Sequence, residues 1–234
     1  MKKVQHFNEL AWVFAMVLIS LAVCLTTKAG FGVSMVVAPA YTIHLAVHHF
    51  FPWYSFGTSE YVLQGVLLAL MCLIVRKFNW RYLLSFLTAV IYGYMLDLWL
   101  LIFGGGEPFA TLPGRIAALA AGIVLCSLAV ALFFRTYLPQ QVYELFVAQV
   151  AKAIDWKAEK FKYIYDFSSL AIAIILAIIV SQRFEDVRFT DCIGIGTIAC
   201  TVFNAVLINL FGKVLNKCFC FDAALPQLEK KLKY

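Results

Sequence analysis

The feature that most constrains this chain is the spacing of its charges. Six stretches, roughly 10–27, 57–75, 83–103, 116–134, 163–181 and 192–212, run almost free of Asp, Glu, Lys and Arg, and the charged residues gather between them. Each is about 18 residues or longer, the length a helix needs to cross a bilayer core. The second and fifth reach that length only by taking in Glu60 and Asp166. Composition agrees. Of 234 residues, 63% are hydrophobic and 14% charged, too few charges for a soluble domain to cover so much apolar surface. The expectation is an all-α integral membrane protein with six transmembrane helices. A seventh apolar run, Phe31 to Val47, contains Pro39, His44 and small polar residues, and reads as a short broken or re-entrant helix over about 33–48.

The basic residues orient such a bundle. With both termini in the cytoplasm, the inner side holds Lys2 and Lys3; Arg76, Lys77 and Arg81; Arg135, Lys152, Lys157, Lys160 and Lys162; and Lys213, Lys217, Lys230, Lys231 and Lys233. That is 15 of the 19 Lys and Arg, leaving Lys28, Arg115, Arg183 and Arg188 outside. Such a split follows the positive-inside rule. The net charge of +6 therefore belongs to cytoplasmic loops, and no nucleic-acid partner is expected. The first run is long and lacks a small-residue cleavage pattern, so it reads as an uncleaved helix. Of seven cysteines, Cys24, Cys72, Cys126, Cys192 and Cys200 sit in or beside helices as small apolar residues. Cys218 and Cys220 lie on the cytoplasmic side, where disulfides are disfavoured.

SLAVCLTTK at 20–28 returns as SLAVALFFR at 127–135. At that offset of 107, Lys28 falls on Arg135. A Gly-rich turn and a short apolar segment follow Lys28. After Arg135 comes a segment in which Pro139 suits a first helical turn and Val142, Leu145, Phe146 and Val150 mark one face. Glu60 and Asp166 then each sit about one turn into the next long helix, and Thr88 falls on Thr197 in the third. The pattern predicts two three-helix repeats, 1–106 and 107–217, each with a short helix after its first crossing (about 33–48 and 139–154), followed by a basic tail over 218–234. Three crossings per unit makes the repeats inverted, an arrangement typical of secondary transporters.

Ionisable groups inside crossings cost free energy that packing alone does not require. Asp97, with Tyr94 and Trp99 near it in sequence, lies far along its helix, in the outer third of the membrane. Glu60 begins its helix from the outside and Gln64 is one turn deeper on the same face. Glu60 and Asp97 are expected to face one outward-accessible cavity, with Gln64 and Asn204 completing a substrate site. Glu60 is alternatively a partner for its own helix N-terminus, and Asn204 and Asn209 alternatively join helices by hydrogen bonds. Second-rank polar residues are Lys28 and Arg135, which snorkel to headgroups or flank two entrances; Glu144, which with Gln140, Gln141 and Gln149 gives a short helix a polar, solvated face; Asp166, which repeats the Glu60 position; and His44 and His48, which share a helical face beside His49. That histidine spacing suits a metal, but no third ligand is evident, and neither a metal nor any other cofactor is expected. Gly114, Ala118 and Gly122, with Ala117, Ala121, Ala11 and Ala15, make small-residue stripes that let helices approach within the bundle, in a homodimer or against a partner subunit.

KAGFG at 28–32, LLSFLTAVIYGYMLD at 83–97 and GIGT at 194–197 resemble motifs of the YczE/YitT-type bacterial integral membrane proteins, a family whose function is poorly defined. Gly194, Gly196, Thr197 and Asp97 match its Gly-Gly-Thr-like turn and the Asp ending its third helix. Where such proteins often carry a Ser-Pro-Trp-Asp-like stretch, this chain has Ser34, Met35, Val36 and Val37. The resemblance implies a bacterial plasma-membrane protein of presumed transport function.

The expected function is a small-molecule permease, not an enzyme, with protonation of Asp97 or Glu60 as its coupling step and a substrate the sequence does not name. Two further readings stand beside it: a ligand-capturing membrane subunit that docks on a separate energy-coupling complex, and a non-transporting accessory or scaffold protein.

Overall fold

The computed structural model of the chain describes residues 4–185 and 187–222, and, within these, the side chains of all but 4–7, 159 and 220–222. Six helices are long and apolar enough to cross a membrane. They are α1 (Asn8–Ala29), α3 (Phe56–Val75), α4 (Tyr82–Ile102), α5 (Leu112–Phe133), α7 (Ala158–Arg183) and α9 (Ile195–Cys218). Two short helices, α2 (Ala38–His48) and α6 (Val142–Ala153), follow α1 and α5, and a single turn, α8 (Phe189–Cys192), precedes α9. The protein is a helical multi-pass membrane protein. Its outermost apolar side chains fit that solvent, with Leu73 73%, Leu101 76% and Ile195 79% exposed, a loss in water that hydrocarbon removes.

Local chemistry sets the helix ends. Glu9 in the first turn of α1 and Lys28 in its last complement the helix dipole, and Gly30 leaves the helix at φ 62°, a left-handed conformation that glycine adopts without strain. Ser55 caps α3, its hydroxyl accepting from the Thr58 amide and so satisfying an orphan N–H. Proline in the first turn starts α2 and α5, where the missing N–H costs nothing.

The helix α1 packs along α5 and also meets α4, while α5 meets α9. The short helix α2 lies on α7 and α3, and α6 lies on α3 and α7. One buried cluster joins Met16, Tyr41, Phe56, Tyr92 and Leu96 from α1 to α4, and a second joins Met71, Tyr82, Val142, Phe146 and Val150 around α6. Small residues allow the α1–α5 approach. A Cβ on Gly122 would lie 2.7 Å from Thr26 Cγ2 and 3.0 Å from the Ala22 carbonyl. The stripe does not extend to Gly114, whose nearest neighbour is Thr111 in its own helix cap.

Several boundaries differ from the sequence expectation. The α6 helix starts at Val142 rather than at 139, because the Pro139 carbonyl is occupied by Trp12 Nε1 at 3.0 Å and Thr88 Oγ1 at 3.2 Å. The last long helix runs Ile195–Cys218 rather than 192–212, its start set by Gly194. A short parallel strand pair amends the all-α expectation: β1 (Val4–Phe7) runs beside β2 (Phe219–Asp222). The beginning of the expected 218–234 tail is thus ordered. Residues 223–234, with Lys230, Lys231 and Lys233, and Lys2 and Lys3 at the other end, lie outside the described residues.

Candidate functional site

Glu60 and Gln64 lie one turn apart on α3, and both have 0% exposure. Their partners come from the start of α6. Tyr143 donates its hydroxyl to Glu60 Oε2 at 3.0 Å, and the Val142 amide donates to Gln64 Oε1 at 3.1 Å. Gln64 Nε2 lies 3.5 Å from both Glu60 Oε2 and Gln141 Oε1, long for a hydrogen bond. Two atoms of the cluster have no partner: Glu60 Oε1, an acceptor, and Gln141 Nε2, a donor. Buried polar atoms are almost always satisfied, so an unmatched acceptor and donor in one cluster stand out. Among the described residues no cation pairs with Glu60; the ion pair found there is Lys162 to Asp166 at 2.9 Å.

Asp97 belongs to a different arrangement. Its Oδ2 accepts from Ser55 Oγ at 2.5 Å and its Oδ1 from the Gly57 amide at 2.8 Å. The carboxylate thus complements the N-terminus of α3 from the neighbouring helix, the role that the sequence offered as an alternative for Glu60. Gly57 makes this possible, since a Cβ there would run into the Gly93 carbonyl and the Asp97 carboxylate. Among the described residues, Glu60 and Asp97 have no hydrogen-bond partner in common. Each is held by its own partners.

Asn204 lies apart from both. Its Oδ1 accepts from Ser127 Oγ at 2.8 Å and its Nδ2 lies 3.8 Å from Cys126 Sγ, so it joins α9 to α5. Glu144 is half-buried on α6, and Asp166 is tied to Lys162 on α7 rather than repeating the Glu60 arrangement. Lys28 does not snorkel; it is 4% exposed, donates to the Gly105 carbonyl at 3.1 Å and stacks over Phe109. Arg135 donates to the carbonyls of Ala131 and Gly212 and to Asn216 Oδ1. His44 and His48 each direct Nδ1 at the Tyr54 carbonyl, at 3.2 and 3.1 Å, so both must donate from that nitrogen and both fasten the α2–α3 connection. Burial, and next the neighbouring His48, pull the His44 pKa from 6.5 down to about 4.

The sequence missed Tyr143 as a partner of Glu60 and Gln141 as a neighbour of Gln64. The sequence puts Gln141 on a solvated face, yet it is 5% exposed. The signal that was available is Pro139 two residues earlier, which fixes where a helix can begin beside α3.

The sequence motifs also meet in space. The Gly196 amide donates to the Phe31 carbonyl at 2.8 Å, and the Val33 amide to the Cys192 carbonyl at 3.3 Å. KAGFG thus lies against GIGT. A Cβ on Gly32, which has φ 87°, would sit 2.7 Å from Thr197 Oγ1 and closer still to the Gly194 amide.

Compared with known proteins, residues 7–213 match a family of unknown function, DUF6198. No curated protein and no solved structure matches the chain.

Proposed function

The chain belongs to DUF6198, a family of unknown function, and we propose that it acts there as a small-molecule permease, with two inverted three-helix units built around the Glu60 cluster. The observation that carries the reading is the unmatched polar pair, Glu60 Oε1 and Gln141 Nε2, sealed inside a bundle of membrane-length helices. Burying such groups costs stability, and a ligand or proton that matches them offsets the cost.

Depth supports the same reading. At about 1.5 Å per residue, Gln64 lies about 16 Å inside α3 from its Val75 end, near the middle of a roughly 30 Å hydrocarbon core. The start of α6 reaches that depth, so the partial positive charge of a short helix faces the cluster. Paired contacts support the inverted repeat. Lys28 donates to the Gly105 carbonyl and Arg135 to the Gly212 carbonyl, and both members of the pair are displaced by 107 residues. Gly32 against Thr197 corresponds loosely to Pro139 against Thr88, with displacements of 107 and 109 residues. The short helix α2 packs on α7 as α6 packs on α3. The resemblance to YczE/YitT-type proteins carries the reading to a bacterial plasma membrane, with both termini cytoplasmic.

The full burial of Glu60 and Gln64 suits an occluded permease and also a closed scaffold, so the test must separate these. In a chain otherwise free of cysteine, Gln141→Cys is labelled with a small maleimide in sealed vesicles of each orientation. A permease exposes this position from at least one side as it opens. A position that stays unlabelled while the same folded protein reacts after denaturation is the scaffold outcome. Proteoliposomes loaded with a pH dye, challenged with amino acids, sugars, nucleobases and organic acids, then test coupling. Wild type is expected to couple one of these to proton flux and Glu60→Gln to lose it.

A further inference from the structure

A cleft of about 560 Å³ opens where the α3–α4 turn meets the last turn of α6. Lys77 and Arg81 reach it from the turn and Lys152 from α6, with Asn79, Gln149 and Tyr82 between them. Among the described residues its lining contains no carboxylate. The polar groups are arranged as donors. The Asn79 side-chain oxygen already accepts from the Arg81 amide at 3.1 Å, and the Gln149 side-chain oxygen from Tyr82 Oη at 3.3 Å. Each amide oxygen thus has one donor already, and the NH₂ groups are the donors these side chains can offer the cleft. Lys77, Lys152 and two amide donors around a concave space fit the tetrahedral oxygens of a phosphate.

The surroundings indicate where the phosphate comes from. Phe78 and Trp80, in the same turn, are 65% and 63% exposed, and Trp156 follows α6 with Lys160 over its ring. Exposed aromatic rings beside the end of a membrane helix sit at headgroup level. A soluble anion has no use for such a collar, whereas a lipid headgroup arrives at that depth.

We propose that this cleft is a binding site for a phosphate-bearing anion, supplied by the headgroup of an anionic phospholipid. Basic pockets between membrane helices bind such headgroups by charge that falls off within a Debye length. The site is separate from the Glu60 cluster and does not depend on a transport role.

The test uses the purified full chain, stripped of lipid in detergent and given phosphatidylglycerol and phosphatidylcholine at equal mole fraction, with retained lipid counted by native mass spectrometry. Wild type is expected to prefer phosphatidylglycerol by roughly tenfold, and the Lys77→Gln/Lys152→Gln variant to fall to near parity. Lys213→Gln/Lys217→Gln, which removes equal charge from α9, should keep the preference. Both variants are checked for a wild-type melting profile and elution volume. A parallel arm adds millimolar inorganic phosphate without lipid. If phosphate raises the wild-type melting temperature, spares the cleft variant and no lipid preference exists, the lipid source is overturned. Equal losses in both variants, or no preference and no phosphate effect in wild type, overturn the site itself.

Discussion

Glu60 is a carboxyl group whose touching partners are all neutral, and one of its oxygens has none. Replacing it with an isosteric amide, as Glu60→Gln, removes the ionisable group and keeps the shape. The variant should melt higher than wild type, by an amount equivalent to about 1 kcal/mol or more, when unfolding is followed by tryptophan fluorescence in detergent. Tyr143→Phe should act the other way, since it removes the one short donor to the carboxyl group; a loss of about 1–2 kcal/mol is expected. A second residue-scale expectation concerns His44. Its pKa is about 4 folded against 6.5 unperturbed, so between those values the unfolded chain binds the extra proton and stability rises with pH. Acidification from pH 7 to pH 4 should lower the melting temperature, and His44→Gln should flatten that slope.

The residue scale is also where the sequence was least complete. Glu60 and Gln64 stood out because polar side chains are conspicuous in an apolar run. Asp97 stood out for the same reason, and the signal did not distinguish a carboxylate that caps a neighbouring helix from one in a polar cluster. Gln141 and Tyr143 were hidden in a stretch rich in Gln and Glu that reads as solvated. Depth in the bundle is a tertiary property, and side-chain polarity alone does not carry it.

At the scale of elements, long helices were legible because membrane length and charge spacing are properties of the chain itself. Their close approaches were partly so. Gly122 was marked by its small-residue spacing and is packed against Thr26 as that spacing implies, whereas Gly57 gave no periodic signal and meets Gly93 where α3 crosses α4. Gly57→Ala should destabilise by about 1–3 kcal/mol, the range for forcing a methyl into a filled core. Gly122→Ala should cost less, because its closest backbone neighbour, the Ala22 carbonyl, would lie 3.0 Å from the new Cβ, a smaller clash than the Gly93 carbonyl gives at Gly57. Gly106→Ala, with open space around it, should stay within about 0.5 kcal/mol of wild type. The ordering, read as melting temperatures under one set of conditions, checks the helix contacts independently of any activity.

Over the whole molecule, an even number of crossings brings the two ends of the described chain together, as the β1–β2 pair requires. Alkaline phosphatase fused after Gly105 should be active and green fluorescent protein fused after Tyr234 should fluoresce, if the basic loops lie inside; the reverse pattern would invert the orientation. The contact between KAGFG and GIGT has a further consequence, in time. The Phe31 carbonyl and the Val33 amide find their partners in residues 192 to 196, which leave the ribosome about 160 residues later. Until then these two backbone groups lack the partners they have in the folded chain. The N-terminal half is therefore unfinished when it inserts, and the last helix acts as the latch that completes it.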